Sequence, residues 1–231
     1  KVFLEKIRIP QKGVTSKYIL ATVGFMLFGF ALGVFQKWID GTASNYFPMI
    51  FQQLNVVNYF GRLSIWILLG TIISVYSKSP LRASINTFSF LISMLMGYYL
   101  YCNYVLDFLP KTYMMIWVVI ACVSFFMAYM CWYAKGKGVF ATVLSGTIIG
   151  VLFAQAFNLN PLQGFYMYDL MEVITWIIGV LILYRKPKEF AVVLGLSIVI
   201  FVIILVALST SIVTLYVFVL LISILFKSEG L

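Results

Sequence analysis

Residues 58–76 read NYFGRLSIWILLGTIISVY, an apolar segment with a single arginine, Arg62, inside it. A basic loop that contains Pro80 follows the segment. We therefore predict a membrane-spanning helix over residues 59–76. Arg62 lies 14 residues before Tyr76, which is about 21 Å along a helix at about 1.5 Å per residue.

A second segment, residues 168–184, echoes the first and reads YDLMEVITWIIGVLILY. A shift of 110 residues places Trp66 on Trp176 and Arg62 on Glu172. The echo predicts a parallel duplication of four helices plus four, an arrangement that transporters use. The alternative is that apolar segments resemble one another by composition alone, and both interpretations stay open at this stage.

The composition of the chain indicates a membrane protein. Of its 231 residues, 63% are hydrophobic and only 10% are charged, and the mean hydropathy is +1.05. A soluble domain is about half apolar and about a quarter charged. The net charge of +9 comes from basic residues in short loops between apolar runs, which is the topogenic pattern of membrane proteins rather than a nucleic-acid surface.

The chemistry-bearing residue types are few. The chain has no histidine, and its three cysteines, Cys102, Cys122 and Cys131, form no CxxC pair. We interpret these cysteines as small apolar core residues. We expect no catalytic residue, no metal ion and no other cofactor, and therefore no enzyme, because the commonest general base and metal ligand is missing.

The apolar runs predict an all-α, polytopic membrane helix bundle of about eight spans. A cytoplasmic basic segment, residues 1–17, precedes a first four-span half, residues 18–133, and a second four-span half, residues 139–226. In the second half, residues 190–226 carry no charge and are long for one span. We expect them to form a hairpin that turns near Ser209-Thr210-Ser211.

The distribution of basic residues predicts that both termini are cytoplasmic. With that topology, all Lys and Arg residues except Lys37, Arg62 and Lys111 lie on the inner side, as the positive-inside rule requires. The basic N-terminal segment itself has two interpretations. It is either an amphipathic helix on the anionic inner leaflet or, as we favour, a flank that orients the first span.

Arg62 and Glu172 are the main candidate site residues. Both fall in the outer half of the membrane on this topology, where an unpaired charge costs at least about 2.5–3.5 kcal/mol. We predict that Arg62 pairs with Glu172 or Asp169, which lie on one helix face at i,i+3. The pair either lines an outward-opening pocket or only fixes the register of two helices.

Further polar and aromatic residues, near these charges or near the outer ends of their spans, are candidates to line the pocket. They are Asn58, Trp66, Trp176, Tyr98, Asn103 and Asp107. The alternative for the tyrosines, which we favour for most of them, is an interfacial aromatic belt. On the first span, Gly29 and Gly33 form a small-xxx-small pair that predicts close packing of another helix.

Residues 76–88, YSKSPLRASINTF, followed by Tyr98-Tyr99, resemble an uncharacterised family of bacterial multi-spanning membrane proteins. In that family a Ser-Pro-x-Arg-Ala loop, here Ser79–Ala83, joins two spans, and the second span carries a paired tyrosine. The resemblance implies a multi-pass protein of the bacterial inner membrane. It supplies no activity and no site residues.

These patterns favour a small-solute permease or the membrane-embedded binding subunit of a transporter. The expected partners are the lipid bilayer and a small polar solute, and either a homo-oligomer or a partner membrane subunit is compatible with the pattern. The alternative is a non-transporting assembly or accessory subunit that docks through the small-residue face of the first span. An intramembrane enzyme ranks below both, because the chain has no HExxH or GxSxG motif.

Overall fold

The computed structural model describes residues 2–11, 14–107, 110–160, 164–184 and 186–228, and the protein is 83% helical. The helices are α1 (Val2–Ile7), α2 (Thr15–Asp40), α3 (Met49–Gln53), α4 (Val56–Gly61), α5 (Leu63–Tyr76), α6 (Pro80–Val105), α7 (Lys111–Trp132), α8 (Val139–Ala156), α9 (Leu170–Ile182) and α10 (Pro187–Ser228). Strands β1 (Phe157–Asn160) and β2 (Gly164–Met167) form an antiparallel hairpin before α9.

Within the described part of the chain, five helices are long and apolar enough to cross a membrane: α2, α6, α7, α8 and α10. Two more, α5 and α9, are apolar but shorter. The fold is therefore an all-α membrane helix bundle, apart from the small hairpin. We call the end that carries α3, α4 and the strands the hairpin end, and the end that carries α1 and the basic loops the basic end.

The turn expected near Ser209-Thr210-Ser211 is wrong. Helix α10 continues through these residues and is 42 residues long, about 63 Å at about 1.5 Å per residue. No proline follows Pro187 in the sequence, so every later residue has the backbone N–H that a helix needs. The described residues therefore contain seven apolar helices rather than eight.

Helices α2 and α6 cross at a backbone-to-backbone contact. A Cβ atom added to Gly29 would lie 2.2 Å from the carbonyl oxygen of Phe90, and one on Gly33 would lie 1.9 Å from that of Met94. Gly97 of α6 faces α2 in the same way, 2.3 Å from the carbonyl oxygen of Phe30. Gly29 and Gly33, the pair for which the sequence predicts close helix packing, thus lie at this contact, where only glycine allows so close an approach.

Helices α8 and α10 repeat this contact in the second part of the chain. Gly146 and Gly150 have the same four-residue spacing, and added Cβ atoms would lie 2.8 Å from the Cβ atoms of Leu196 and Ile200. We call α2–α5–α6 and α8–α9–α10 the two units: in each, a short apolar helix lies in sequence between the two glycine-paired helices, and the last helix begins with proline. Helices α3 and α4 also lie between α2 and α5, and α7 lies between the two units. The expected duplication of four helices plus four stays a prediction.

Helix α5 begins at Leu63 because the chain leaves the helical conformation at Arg62. Arg62 has φ −90° and ψ 161°, which separates α4 from α5. The continuous helix expected over residues 59–76 is therefore interrupted. Likewise, α9 begins at Leu170 after Asp169, which has φ −82° and ψ 151°. At 14 and 13 residues, α5 and α9 are about 21 and 20 Å long, shorter than a hydrocarbon layer of about 30 Å.

The sequence predicts only helices and connecting loops, so the β1–β2 hairpin is a finding of the structure. Phe157 pairs with Met167, and the ring of Phe157 stacks on Phe165 with centroids 5.4 Å apart. The Asn158 amide donates hydrogen bonds to the hydroxyl oxygens of Tyr166 and Tyr168 at 2.7 and 2.8 Å. Four-residue strands carry too short an alternation to be distinguished from loop by pattern.

The N-terminal segment packs against the basic end of the bundle. Ile7 is buried in a cluster with Trp132. Arg8 donates to the carbonyl oxygen of Trp132 at 2.6 Å and to that of Val75 at 2.8 Å. It thereby satisfies carbonyls in the last turns of α7 and α5, where a cation is also favoured by the helix dipole. Neither interpretation of this segment from the sequence included that contact.

Candidate functional site

Arg62 forms ion pairs with both acidic residues at the start of α9. Its Nη2 atom lies 2.5 Å from Asp169 Oδ2, and its Nη1 atom lies 3.6 Å from Glu172 Oε1. The contact expected from the sequence is therefore present, and Asp169 is the closer partner. The side chains of Arg62 and Asp169 are 33% and 29% exposed, whereas that of Glu172 is fully buried.

The two short helices place these charges. Arg62 and Asp169 are the extended residues that immediately precede α5 and α9, and α5 contacts α9. Asp169 and Glu172 are three residues apart and share one face of α9. Both carboxylates lie at the N-terminal end of α9, where the helix dipole favours negative charge.

Neutral side chains from α4 and its N-terminal flank tie this region to α9. Asn55 has a φ of 51°, a left-handed conformation that asparagine tolerates, and its amide donates to Asp169 Oδ2 at 3.2 Å. The Tyr59 hydroxyl and the Thr175 hydroxyl are 2.5 Å apart. The Arg62 guanidinium carbon lies 5.9 Å from the ring centroid of Tyr168. The ion pairs thus lie within a wider polar contact between the two units.

The polar groups of this cluster are not all satisfied. Among the described residues, neither carboxylate oxygen of Glu172 accepts a hydrogen bond, and the Ser64 hydroxyl has no hydrogen-bond partner. Glu172 and Ser64 are each 1% exposed. Ser64 lies beside the Glu172 carboxyl group without meeting hydrogen-bond geometry. Buried polar groups are normally paired, so these oxygens mark an unusual position.

A cavity of about 450 Å³ lies next to this cluster at the hairpin end, and we call it the Lys37 cavity. Its lining comes from α2, α4, α6 and the start of α7. The lining residues are Gln36, Lys37, Asp40, Val57, Gly61, Tyr98, Pro110 and Tyr113. Gly61, one of its lining residues, directly precedes Arg62 of the ion pairs.

The Lys37 cavity has both charge signs and aromatic walls. Lys37 Nζ lies 2.5 Å from Asp40 Oδ2 and 5.3 Å from the ring centroid of Tyr98. The Gln36 amide nitrogen donates to the carbonyl oxygen of Phe60 at 2.9 Å, while its Oε1 atom has no hydrogen-bond partner among the described residues. The lysine side chain is 9% exposed and the aspartate side chain 52% exposed.

Sequence reasoning missed Gln36, Lys37, Asp40 and Tyr113. The available signal was that Gln36, Lys37 and Asp40 lie within five residues at the end of the first apolar run. In the sequence alone, this stretch resembles the start of a polar connection between two spans. Helix α2 extends through Asp40, and so these side chains project from a membrane helix rather than from a loop.

The other candidate residues divide between core, cavity and surface. Tyr98 lines the Lys37 cavity. Trp66 is a core residue, 3% exposed, whose Nε1 donates to the carbonyl oxygen of Phe60 at 3.1 Å. Trp176 packs edge-to-face on Phe153, with centroids 5.3 Å apart.

The polar candidates Asn58, Asn103 and Asp107 are exposed. Asn58 donates to Asn55 Oδ1 at 2.7 Å, so it reaches the cluster only indirectly. Asn103 and Asp107 lie at the end of α6 and just beyond it, and in the described structure they make no hydrogen bond or ion pair with the Arg62 cluster. The predicted pocket therefore does not bring all of its proposed residues together.

The face of α2 that carries Gly29 and Gly33 is covered by α6. It was the proposed docking face for a partner subunit. Because α6 of the same chain already covers this face, the face no longer supports the alternative of an accessory subunit.

Comparisons of the chain with protein-family models, curated proteins and solved structures give no match. The resemblance of residues 76–88 to a bacterial membrane family therefore stays a prediction. The fold and composition define the class: the chain is a helical integral membrane protein in which two short helices meet through opposite charges.

Proposed function

We propose that the protein is a small-solute permease, or the membrane-embedded binding subunit of a transporter. One observation carries this proposal: Arg62 and Asp169, the residues that precede the short helices α5 and α9, pair across the contact between the two three-helix units. Many transporters bind solutes between internal repeats, at discontinuous helices near mid-membrane. Charged residues at that depth otherwise cost stability.

The Lys37 cavity is the proposed solute pocket. Its volume of about 450 Å³ falls in the range of small-molecule sites, about 300–1,000 Å³. Lys37 and Asp40 supply both charge signs, Gln36 Oε1 is an acceptor with no hydrogen-bond partner in the described structure, and Tyr98 supplies an aromatic face. These groups suit a polar or zwitterionic solute with a hydrogen-bond donor.

The proposed orientation places the basic end in the cytoplasm of a bacterial inner membrane. The loops that follow α5, α7 and α9 carry Lys78, Lys135 and Lys186, and positive loops stay on the cytoplasmic side. The hairpin end and the Lys37 cavity then face outward, so the solute enters from outside.

Uptake by purified protein in proteoliposomes tests the proposal. We expect uptake or exchange of at least one solute from a broad panel of polar and zwitterionic compounds. The variant Lys37→Ala is expected to weaken solute binding by about tenfold or more, since an interaction with a charged group contributes about 1.5–3 kcal/mol. The variant Glu5→Gln, which alters an exposed residue at the basic end, serves as the control.

One result would count against this function, and a second would count only against a role of the ion pair in it. If no solute of the panel is taken up, exchanged or bound with thermal stabilisation, the permease proposal is wrong. If the double variant Arg62→Ala/Glu172→Ala folds and transports at the wild-type rate, the ion pair is structural and is not part of the transport site.

A further inference from the structure

The ion-pair cluster holds one positive charge against two carboxylates. Arg62 lies closest to Asp169, at 2.5 Å, and Glu172 is 3.6 Å from the same guanidinium. Asp169 is partly exposed, whereas the side chain of Glu172 is fully buried. The buried carboxylate therefore lacks a cation of its own, in a position where uncompensated charge is strongly disfavoured.

The elements packed around Glu172 do not supply that cation. Among the described residues, the charged and titratable groups that face it are Arg62 before α5, Asp169 on its own helix and Tyr59 on α4. The Tyr59 hydroxyl is already engaged with Thr175. The missing charge must then come from outside the described protein groups.

The oxygen atoms at this position point to the same conclusion. Both Glu172 carboxylate oxygens and the neighbouring Ser64 hydroxyl are buried, and in the described structure they have no hydrogen-bond partner. A carboxylate and a hydroxyl are hard oxygen ligands of the type that alkali and alkaline-earth cations prefer. A proton bound to the carboxyl group would also remove the excess charge and supply a donor for Ser64.

We propose that Glu172 and Ser64 form a binding site for one small monovalent cation, Na⁺ or a proton. Binding adds the cation to carboxylate oxygen and breaks no covalent bond. The inference deepens the proposed function, because a cation bound at the contact between the two units is placed to drive solute uptake.

Thermal unfolding of the purified protein, followed by tryptophan fluorescence, tests the site without any solute. The measurement compares Na⁺ with choline buffers between about pH 5 and about pH 9, a range that covers titration of buried carboxyl groups. If the cation is Na⁺, adding it at alkaline pH raises the Tm by about 5 °C at about 100 times its Kd. If it is a proton, the Tm falls as the pH rises and Na⁺ has no effect.

Three variants make the test specific. Glu172→Gln, a neutral isostere, is expected to lose the response to both cations, while the control Glu5→Gln, at an exposed carboxyl group of the basic end, keeps it. Ser64→Ala is expected to shift the midpoint of the response, which is the cation concentration or the pH at which half of the Tm change has occurred. If Glu172→Gln does not fold, Ser64→Ala alone tests the site. A wild-type Tm that responds to neither cation would overturn the proposal. So would a Glu172→Gln response equal to wild type, or an unchanged midpoint in Ser64→Ala.

These outcomes are separate from those of the uptake experiment. If the Tm responds to a cation but the protein transports no solute, the cation site is supported and the permease proposal is wrong. If the protein takes up solute but its Tm responds to neither cation, the cation site is wrong and the permease proposal stands without it.

Discussion

At the scale of single residues, Arg62 determines how the two halves of the chain meet. It interrupts the helix that contains it, and its guanidinium reaches two carboxylates that lie more than 100 positions further along the chain. A charge at membrane depth is tolerated when it is paired with an opposite charge. The fold supplies these opposite charges, and an arginine is therefore tolerated within this apolar run.

Replacing Arg62 with alanine should destabilise the protein by about 2–3 kcal/mol. The buried Glu172 and the adjacent Asp169 would lose their cation, and breaking a buried pair costs about 3–5 kcal/mol. We reduce this figure because Arg62 is a third exposed and solvent screens the interaction. Equilibrium unfolding in detergent measures the change.

A double-mutant cycle with Asp169→Asn distinguishes the ion pair from a packing effect. The double variant Arg62→Ala/Asp169→Asn should recover part of the stability that Arg62→Ala loses, because it removes one unpaired carboxylate. Lys111→Ala, at an exposed position, should change the stability by less than about 0.5 kcal/mol. Additive losses in the cycle would contradict the pairing.

At the scale of the helices, glycine pairs determine which helices lie side by side. Gly29 and Gly33 seat α2 on α6, and Gly146 and Gly150 seat α8 on α10. In lipid, close van der Waals contact replaces the hydrophobic effect as the force between helices. Each unit is therefore held together by a surface that a single methyl group would disturb.

Gly33→Ala should destabilise the protein by about 1–3 kcal/mol, the usual cost of overpacking. Its Cβ atom would lie 1.9 Å from the Met94 carbonyl oxygen, which is backbone and cannot move aside alone. Gly24→Ala on the same helix is the matched control, because nothing lies within 4 Å of its added Cβ. Thermal unfolding compares the two variants, and equal Tm values would contradict the predicted contact.

At the scale of the whole molecule, the seven apolar helices found among the described residues run alternately from the basic end to the hairpin end and back. Because α10 is continuous from Pro187 to Ser228, its two ends should lie on opposite sides of the membrane. An α10 hairpin would instead return residue 228 to the side of Pro187. With the continuous helix, residue 228 lies on the hairpin side, and not on the cytoplasmic side that the distribution of basic residues predicts for the C-terminus.

Cysteine labelling in intact cells tests this topology, after Cys102, Cys122 and Cys131 have been replaced with alanine. A membrane-impermeant thiol reagent should label a cysteine at exposed Tyr104 at the hairpin end without permeabilisation. It should label one at Lys137 at the basic end only after permeabilisation. A cysteine at Ser228 should behave like that at Tyr104. If the cysteine at Ser228 is instead labelled only after permeabilisation, like the one at Lys137, then α10 is not a single continuous span.

The sequence predicted the candidate ion pair but only part of its surroundings. Arg62, Asp169 and Glu172 were identifiable because charges in apolar runs are rare and need partners. The Lys37 cavity was not predicted, because its walls come from four helices that are distant in sequence. Asn103 and Asp107 were included because of their position near a span end, which does not specify the direction of a side chain.

What the sequence determined by itself was the class of the fold: apolar runs separated by basic loops require membrane helices, and paired glycines require close helix contacts. What only the tertiary structure decided was the break at Arg62, the continuous α10, and the partners that each charge finds. Apolar runs are set by local composition. Breaks, helix lengths and ion pairs depend on which distant backbone and side chains lie beside them, and a linear pattern does not contain that information.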